Sequence, residues 1–256
     1  MSIVSIITPV YNASRFLEET AGCVSAQTLQ DWEWILVDDK SEDNSREIME
    51  RLAKKDNRIK IFFLEKNLGS GPARNKAIQE AQGKYIAFLD SDDFWSPDKL
   101  QKHVDFMVEN NAVFSHTSYG FTNEQGEVIR ETYHVSDVPV TYSMLLKKTE
   151  ISCLTAMYDQ ERIGKYFMPD LRRKQDYALW LSILKDGHPS IPLDEELAMY
   201  RQVSGSATNN KFKLIIKHLK FLMEVEKLSF FKSLYYSFHW GINGLKNIIS
   251  KGRYTL

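Results

Sequence analysis

The sequence predicts an α/β fold in which a mostly parallel β-sheet is covered by helices on both faces. The main observation is that short β-branched runs alternate with amphipathic helical patterns through residues 1–110. Four strand–helix units of this length imply parallel strands joined by crossover helices. The composition, 43% hydrophobic and 26% charged, is that of an ordinary globular protein. In such sheets, ligands bind beyond the carboxyl ends of the strands.

Individual elements follow from local patterns. Strands are predicted where β-branched and aromatic residues cluster, at residues 3–8, 32–37, 59–64 and 85–89. Helices are predicted where apolar residues recur at helical spacing, at residues 14–27, 43–55, 73–81 and 96–110. The terminal signals for these helices are Ser14, Ser96 and either Asp43 or Ser45 as N-caps, and Gly83 as the end of the third helix.

Residues 111–208 are predicted to extend the same sheet without forming a separate domain. Residues 112–118 and 128–133 flank Asn123-Glu124-Gln125-Gly126, which is a hairpin signal. Trp180 is expected in the hydrophobic core, because amphipathic helices bury tryptophan routinely. The six histidines show no pair at metal-ligand spacing and are assigned no catalytic role.

The net charge of −1 conceals an uneven distribution, since residues 211–256 carry +7 and the rest of the chain −8. The tail, residues 209–256, mixes lysine with aromatic and aliphatic side chains, which is typical of helices that lie on an anionic membrane surface. The alternatives are two helices packed on the preceding domain, or a dimer contact. Two distant cysteines predict a reducing, cytoplasmic setting, and the lack of a signal-peptide pattern or an apolar run of ~18 residues predicts a protein that is soluble or at most lies against a membrane. Together with the tail, this favours peripheral association with the inner membrane face.

Polar residues follow the predicted strands, and we expect them to converge on one edge of the sheet. They form the segments Thr8–Asn12, Asp38-Asp39, 67–74 and Asp90-Ser91-Asp92-Asp93. Hard carboxylates such as Asp90 and Asp92 suit Mg²⁺ or Mn²⁺ shared with phosphate oxygens. For Asp93, an equally good interpretation is a cap for the helix that follows.

These segments carry a joint sequence signature. Its parts are Ile6-Ile7-Thr8-Pro9-Val10-Tyr11-Asn12, Val37-Asp38-Asp39-Lys40-Ser41-Glu42-Asp43, Asn67-Leu68-Gly69 with Ala73-Arg74-Asn75, Phe88-Leu89-Asp90-Ser91-Asp92-Asp93, Gln175-Asp176-Tyr177-Ala178-Leu179-Trp180-Leu181 and Tyr200-Arg201. In order and spacing they resemble the inverting family-2 glycosyltransferases of GT-A fold. With residues 151–157, they look like the bacterial branch that builds teichuronic acid, capsule and O-antigen chains. The resemblance covers residues 1–208.

The resemblance implies that two halves of the chain bind different substrates. Residues 1–110 would form the nucleotide-sugar-binding half and residues 111–208 the acceptor-side half of one catalytic domain. The residues implied for donor binding are Thr8, Pro9, Tyr11, Asp39, Asn67, Arg74, Asp90, Ser91, Asp92 and Arg201. Asp90 and Asp92 would also bind the metal, and Trp95, Tyr177 or Trp180 would be available to stack on sugar rings.

Specific roles follow from the same resemblance. Thr8, Pro9 and Tyr11 would wall the base, and Asp39 would accept a hydrogen bond from it, commonly from uracil. Arg74 would lie near the base or the diphosphate. Arg201 would contact the diphosphate from a mobile loop at residues 202–210.

Asp176 matches the base that activates the acceptor hydroxyl; Gln175 stands where the family usually has glutamate. Read from residue type alone, Asp176 is also a candidate N-cap of the helix that follows it. The implied reaction is an inverting transfer of one sugar from a nucleotide-sugar to a lipid-linked or growing cell-surface polysaccharide, with no nucleic acid involved. The alternatives are a sugar-nucleotidyltransferase, for which residues 8–12 lack the expected glycine-rich basic loop, and a catalytically silent nucleotide-sugar-binding subunit.

Overall fold

The computed structural model describes residues 2–203 and 211–251. The strands are β1 (Val4–Val10), β2 (Trp32–Asp38), β3 (Ile59–Phe63), β4 (Tyr85–Phe88), β5 (Phe94–Trp95), β6 (Phe114–Thr122), β7 (Val128–Tyr133), β8 (Met157–Asp159) and β9 (Ile191–Arg201). The helices are α1 (Leu17–Ser25), α2 (Ser45–Lys55), α3 (Ser70–Glu80), α4 (Lys99–Glu109), α5 (Tyr142–Leu145), α6 (Gln160–Ile163), α7 (Gln175–Lys185), α8 (Lys211–Glu224) and α9 (Phe230–Lys251), with a short 3₁₀ helix at Cys153–Thr155.

All the strands described belong to one sheet with the order β3-β2-β1-β4-β8-β6-β9-β5, and β7 pairs with β6. The first four strands are parallel, and antiparallel pairing begins where β4 meets β8. The order reverses between β1 and β4, which is the position where open α/β sheets leave a crevice for ligands. The predicted α/β architecture is confirmed.

The sheet is covered on both faces, because every residue of β1 and β2 is buried. Side chains alternate across β2. Trp34 and Leu36 face a core built with α1, α2 and α4, whereas Ile35 and Val37 face a core built with α3, α7 and α8. This two-sided burial explains why these strands read as continuous apolar runs.

The hairpin in the second half is confirmed. Strands β6 and β7 pair antiparallel on either side of the Asn123–Gly126 turn, and β6 also pairs with β8 and β9. The second half therefore continues the sheet, as predicted.

Several helix ends differ from the prediction. Helices α1 and α4 begin at Leu17 and Lys99 without a side-chain cap, because Ser14 and Ser96 lie outside the first turn. The Ser14 N–H instead donates to Asp43 Oδ2 at 2.9 Å, and the loop after β1 is thereby tied to the loop after β2.

Gly83 is not the end of α3, which runs from Ser70 to Glu80. A Cβ at Gly83 would lie 2.7 Å from the backbone nitrogen of Ser5. Glycine is required there because the chain passes against β1. Strand β1 also continues beyond its predicted end, through Pro9 to Val10.

The tail packs against the domain. Phe221 and Leu222 are buried in the core shared with α3 and α7. Trp240 Nε1 donates to Thr149 Oγ1 at 2.9 Å, and the Tyr142 hydroxyl donates to Glu226 at 2.7 Å. In the portion of the chain that is described, no helix combines the length and the apolar character needed to cross a bilayer.

Candidate active site

A cleft of about 250 Å³ lies at the carboxyl ends of β1, β2 and β4. Its lining residues are Pro9, Val10, Tyr11, Asp39, Ser70, Arg74, Asp90, Ser91 and Asp92. Most of the residues expected to bind the donor are therefore brought together by the fold. Val10 and Ser70 were not predicted, although both lie inside segments that the sequence marks as polar strand ends.

The loops after β1 and β2 hold each other in place. Asn12 and Lys40 adopt left-handed backbone conformations, with φ of 49° and 63°. Asn12 Oδ1 accepts the N–H of Glu42 at 2.8 Å, and the Asn12 N–H donates to Ser41 Oγ at 3.0 Å. These bonds place Tyr11, whose ring is half-exposed, on one wall of the cleft.

The two aspartates at the end of β2 have different surroundings and different partners. Asp38 is fully buried and accepts Arg46 Nε at 2.6 Å, a structural ion pair. Asp39 faces the cleft, and its two oxygens accept the N–H groups of Leu68 and Gly69, each at 2.7 Å. Asp39 therefore fixes the loop that leads into α3.

Arg74 lies buried in α3 and forms an ion pair with Asp90. Although burial opposes ionisation, the charge of Asp90 and smaller effects of Cys153 and Asp176 raise the pKa of Arg74. Arg74 thus remains a cation between the end of β4 and the beginning of α7. Because Nε of Arg74 is buried without a partner, the guanidinium keeps a free donor.

The acidic cluster after β4 is strongly perturbed. Burial, followed by the charge of Asp90, raises the pKa of Asp92 to about 6. Burial and the charges of Asp92 and Asp90 raise the pKa of Asp93 well above its usual range. Arg74 pairs with Asp90, whereas Asp92 has no ion-pair partner in the part of the chain that the structure describes.

This arrangement fits a divalent cation that prefers oxygen ligands. Two adjacent carboxylates repel each other, and a bound Mg²⁺ or Mn²⁺ would relieve that repulsion. Within residues 2–203 and 211–251, no group of three or more acidic, histidine or cysteine side chains is arranged to hold a metal alone. Phosphate oxygens or water have to complete the coordination of an ion bound here.

Asp93 is not a helix cap, since its Oδ1 accepts the backbone N–H of Arg201 at 2.8 Å. Arg201 ends β9 and is buried, so its predicted place on a mobile loop is wrong. Its Nε donates to the carbonyl of Asp92 at 2.7 Å, and Nη1 donates to the carbonyl of Glu124 at 2.8 Å. Arg201 is also paired with Glu19. Through these bonds Arg201 supports the acidic loop, but it does not line the cleft.

Two other predicted donor-site residues lie outside the lining. Thr8 is fully buried, and its Oγ1 accepts Trp34 Nε1 at 2.8 Å. Asn67 is exposed on the loop before α3. Most of the predicted mobile loop at residues 202–210 lies outside the described residues.

Asp176 lies in the first turn of α7 and is not its N-cap, a position that Lys174 occupies. Asp176 does not line the cleft, but its charge acts on both Arg74 and Cys153. Its neighbour Gln175 donates from Nε2 to Ser70 Oγ at 2.6 Å. The beginning of α7 is therefore joined to the beginning of α3, beside the cleft.

The aromatic residues considered for sugar stacking are structural. Trp180 is fully buried, as expected. Trp95 and Tyr177 are buried as well, and they donate to the carbonyls of Leu154 and Leu145. Both rings are buried and neither lines the cleft, so the expectation that they are available to stack on a sugar is wrong for both.

A parallel sheet with an acidic cleft at its switch point, continued by mixed strands, is the architecture of GT-A glycosyltransferases. The sequence profile described as Glycosyl transferase family 2 matches residues 5–165. The chain belongs to this family.

Named relatives support the assignment. The putative teichuronic acid biosynthesis glycosyltransferase TuaG of Bacillus subtilis (strain 168) is 42% identical over 244 residues, which cover 95% of this chain and 96% of that protein. The UDP-Glc:alpha-D-GlcNAc-diphosphoundecaprenol beta-1,3-glucosyltransferase WfgD of Escherichia coli is 39% identical over 212 residues, which cover 82% of this chain and 81% of that protein.

Solved structures share the fold. S. aureus TarS 1-349 in complex with UDP-GlcNAc superposes with a TM-score of 0.70 at 20% identity, covering 94% of this chain and 71% of that one. The mannosyltransferase PcManGT from Pyrobaculum calidifontis, in complex with GDP-Man and Mn²⁺, gives a TM-score of 0.63 at 16% identity, covering 99% and 76%. At these identities the likeness concerns the fold.

Proposed function

We propose that this glycosyltransferase moves one sugar from a UDP-sugar to a lipid-linked or growing cell-surface polysaccharide, with inversion at the anomeric carbon. The observation that carries the proposal is the cleft itself, where Tyr11, Asp39, Arg74 and the Asp90-Ser91-Asp92 loop meet beside the beginning of α7. The acceptor class rests on the names of TuaG and WfgD, and the donor base also on the UDP-GlcNAc complex of TarS.

The cleft offers a place for each part of the donor. Pro9 and the half-exposed Tyr11 ring form an apolar wall for the base, and Asp39 retains lone pairs for a base N–H. Arg74 lies between this wall and Asp90, where a diphosphate would find its cationic side chain. Helix α3 begins at Ser70 in the lining, so its unpaired N–H groups adjoin the same space.

Asp90 and Asp92 are the residues that would hold a divalent ion. Asp92 is the better candidate for direct contact with the ion, because Asp90 is already paired with Arg74. The ion supplies positive charge that stabilises the departing nucleoside diphosphate. The PcManGT complex with Mn²⁺ makes such an ion plausible in this fold.

Asp176 is the proposed general base. It lies at the amino end of α7, partly exposed, and near enough to Arg74 of the cleft for its charge to act on that side chain. A carboxylate there can accept the proton of the acceptor hydroxyl as the hydroxyl attacks, and one such base suffices for a single displacement. Gln175 in place of glutamate leaves Asp176 without an adjacent negative charge.

The assay that tests the proposal measures sugar transfer from a panel of UDP-sugars to an undecaprenyl-diphosphate-linked acceptor with Mn²⁺. Asp176→Asn is expected to lower turnover by about 10²–10⁴-fold while UDP binding stays unchanged. Asp105→Asn, an exposed carboxylate on α4, is the matched control and should retain activity. Wild-type protein that binds UDP but transfers sugar from none of the UDP-sugars would favour a silent binding subunit.

We also propose that the tail brings the enzyme to the inner membrane surface. One stripe of α9 is left uncovered by the domain, with Phe231 80%, Tyr235 50% and Phe238 63% exposed. Lys227 and Lys232 flank this stripe and are exposed. Apolar rings flanked by lysines match the headgroup region of an anionic membrane, where a lipid-linked acceptor resides. A dimer formed through this stripe is the alternative outcome.

A further inference from the structure

Lys174, two residues before the proposed base, is enclosed by side chains from the tail. Its Nζ lies 2.7 Å from Nδ1 of His218 in α8. The same Nζ lies 5.3 Å from the ring centre of Phe221 in α8 and 5.0 Å from that of Trp240 in α9. The His218 ring stacks on Trp240 with centroids 4.5 Å apart. We call these four residues the lysine cage.

In the hydrogen bond between Lys174 and His218, the lysine Nζ is the donor and the histidine Nδ1 is the acceptor. Burial and the Lys174 charge lower the pKa of His218 to about 3, although a backbone hydrogen bond with Leu146 opposes this. His218 is therefore neutral and offers Nδ1 as an acceptor. Lys174 keeps cation–π contacts with the surrounding rings, which are strongest where water is excluded.

The backbone of Lys174 requires such an anchor. Its φ is 62°, a left-handed conformation that residues with a Cβ rarely adopt. The Lys174 carbonyl accepts the N–H of Ala178 at 3.0 Å, which closes the first turn of α7. Strained conformations of this kind persist only where the surroundings fix them. The orientation of the first turn of α7 therefore depends on how Lys174 is held.

We propose that Lys174 is a positioning residue through which α8 and α9 fix Asp176 for its role as general base. The inference rests on the proposed function, since it assigns the tail a part in that same site. Gln175 and Asp176 follow Lys174 directly, and Gln175 contacts Ser70 of the cleft. None of the cage residues lines the cleft. The tail thus acts on catalysis without touching the donor.

Two substitutions at one position isolate the key hydrogen bond. Both His218→Gln and His218→Leu lose the ring that stacks on Trp240, but only glutamine retains an acceptor for Lys174 Nζ. Lys174→Met removes the same hydrogen bond from the other side and is measured alongside, in case His218→Leu does not fold. His239→Leu is the matched control, because the His239 ring packs against Tyr235 of the same helix and is not part of the lysine cage.

The measurements are turnover per UDP-binding site in the presence of Mn²⁺, the Kd for UDP, and hydrogen–deuterium exchange over residues 174–180. His218→Leu and Lys174→Met should each lower kcat by about tenfold or more, since small misplacements of a reacting group have large effects. Both should raise exchange at the beginning of α7 and leave the Kd for UDP within about twofold. His218→Gln should stay near the wild type, and combining His218→Leu with Lys174→Met should add little.

Unchanged exchange at residues 174–180 in both His218→Leu and Lys174→Met would overturn the inference, as would equal losses in kcat for the glutamine and leucine variants. A wild-type protein that neither binds UDP nor transfers sugar would instead overturn the proposed function. The exchange data would still decide whether the tail holds the beginning of α7.

Discussion

The two halves of the sheet bury different chemistry. In β1, β2 and β4 the interior is mostly apolar, and the polar residues of the cleft follow the strand ends. In β6, by contrast, Ser115, His116, Thr117 and Ser118 are all fully buried. Most of their polar atoms have local partners, for example the Ile191 carbonyl at 2.7 Å for Ser115 and Ser190 at 2.7 Å for His116 Nδ1, whereas His116 Nε2 is buried without a partner.

This difference teaches where a polar residue signals function. In the first half, most of the polar groups at the strand ends line the cleft, whereas Asp38 is buried in an ion pair with Arg46. In the second half, the buried polar groups of β6 mainly join that strand to β9 and to Ser190 just before it. In the function proposed above, that half contributes the beginning of α7, with Asp176, and Arg201 at the end of β9, which donates to the carbonyl of Asp92.

Arg201 tests whether the halves are separable, because it belongs to the second half but supports the acidic loop of the first. Arg201→Gln should lower the free energy of unfolding by about 3 kcal/mol, since the carbonyls of Asp92 and Glu124 lose the charged donors of a buried guanidinium. Urea unfolding measures this. Arg15→Gln, whose ion pair with Glu124 is exposed, should change stability by less than ~1 kcal/mol. Equal effects of the two substitutions would contradict the support role.

Acid sensitivity extends the comparison to the buried histidines, whose pKa values are lowered by burial in α4 (His103), in β6 (His116) and in the tail (His218). Burial lowers the pKa of His116 to about 4, and burial with the Lys174 charge lowers that of His218 to about 3. Between pH 6.5 and these values, the unfolded chain binds a proton that the folded chain does not. Stability is therefore lost as pH falls, by about 2 kcal/mol per histidine on reaching pH 5.

In His116→Gln, the free energy of unfolding should fall by about 2 kcal/mol less on going from pH 7 to pH 5 than in the wild type. Urea unfolding at pH 7, 6 and 5 measures this difference. An unchanged slope would show that His116 protonates without penalty in the folded protein.

The exposed stripe of α9 sets the tail apart from both halves. Phe231→Ser with Phe238→Ser should weaken sedimentation with anionic vesicles by about tenfold or more, because each ring removes apolar area from water on binding. Val108→Ser, on the exposed side of α4, is the control and should bind like the wild type. Binding that is insensitive to the phenylalanines, with a dimer that dissociates in the double variant, would assign the stripe to self-association.

The sequence was sufficient to predict the parallel sheet and the cleft at its edge, because strand ends in such a sheet converge by topology. Residue type alone could not distinguish Asp38 from Asp39, and only the family resemblance selected Asp39, since the difference in the structure depends on Arg46 pairing with Asp38. The burial of Arg201 was missed because its partners, Glu19 and Glu124, are far away in sequence. Lys174 carries no signal at all, since nothing in residue type marks a lysine that adopts a left-handed backbone.

The most direct test of the division between donor binding and proton removal is a calorimetric titration of UDP, with and without Mn²⁺, into Asp92→Asn and Asp176→Asn. The account predicts that Asp92→Asn weakens Mn²⁺-dependent UDP binding by about 10–100-fold, whereas Asp176→Asn binds like the wild type and fails only in turnover. Normal UDP binding by Asp92→Asn, or its loss in Asp176→Asn, would contradict the placement of the donor in this cleft.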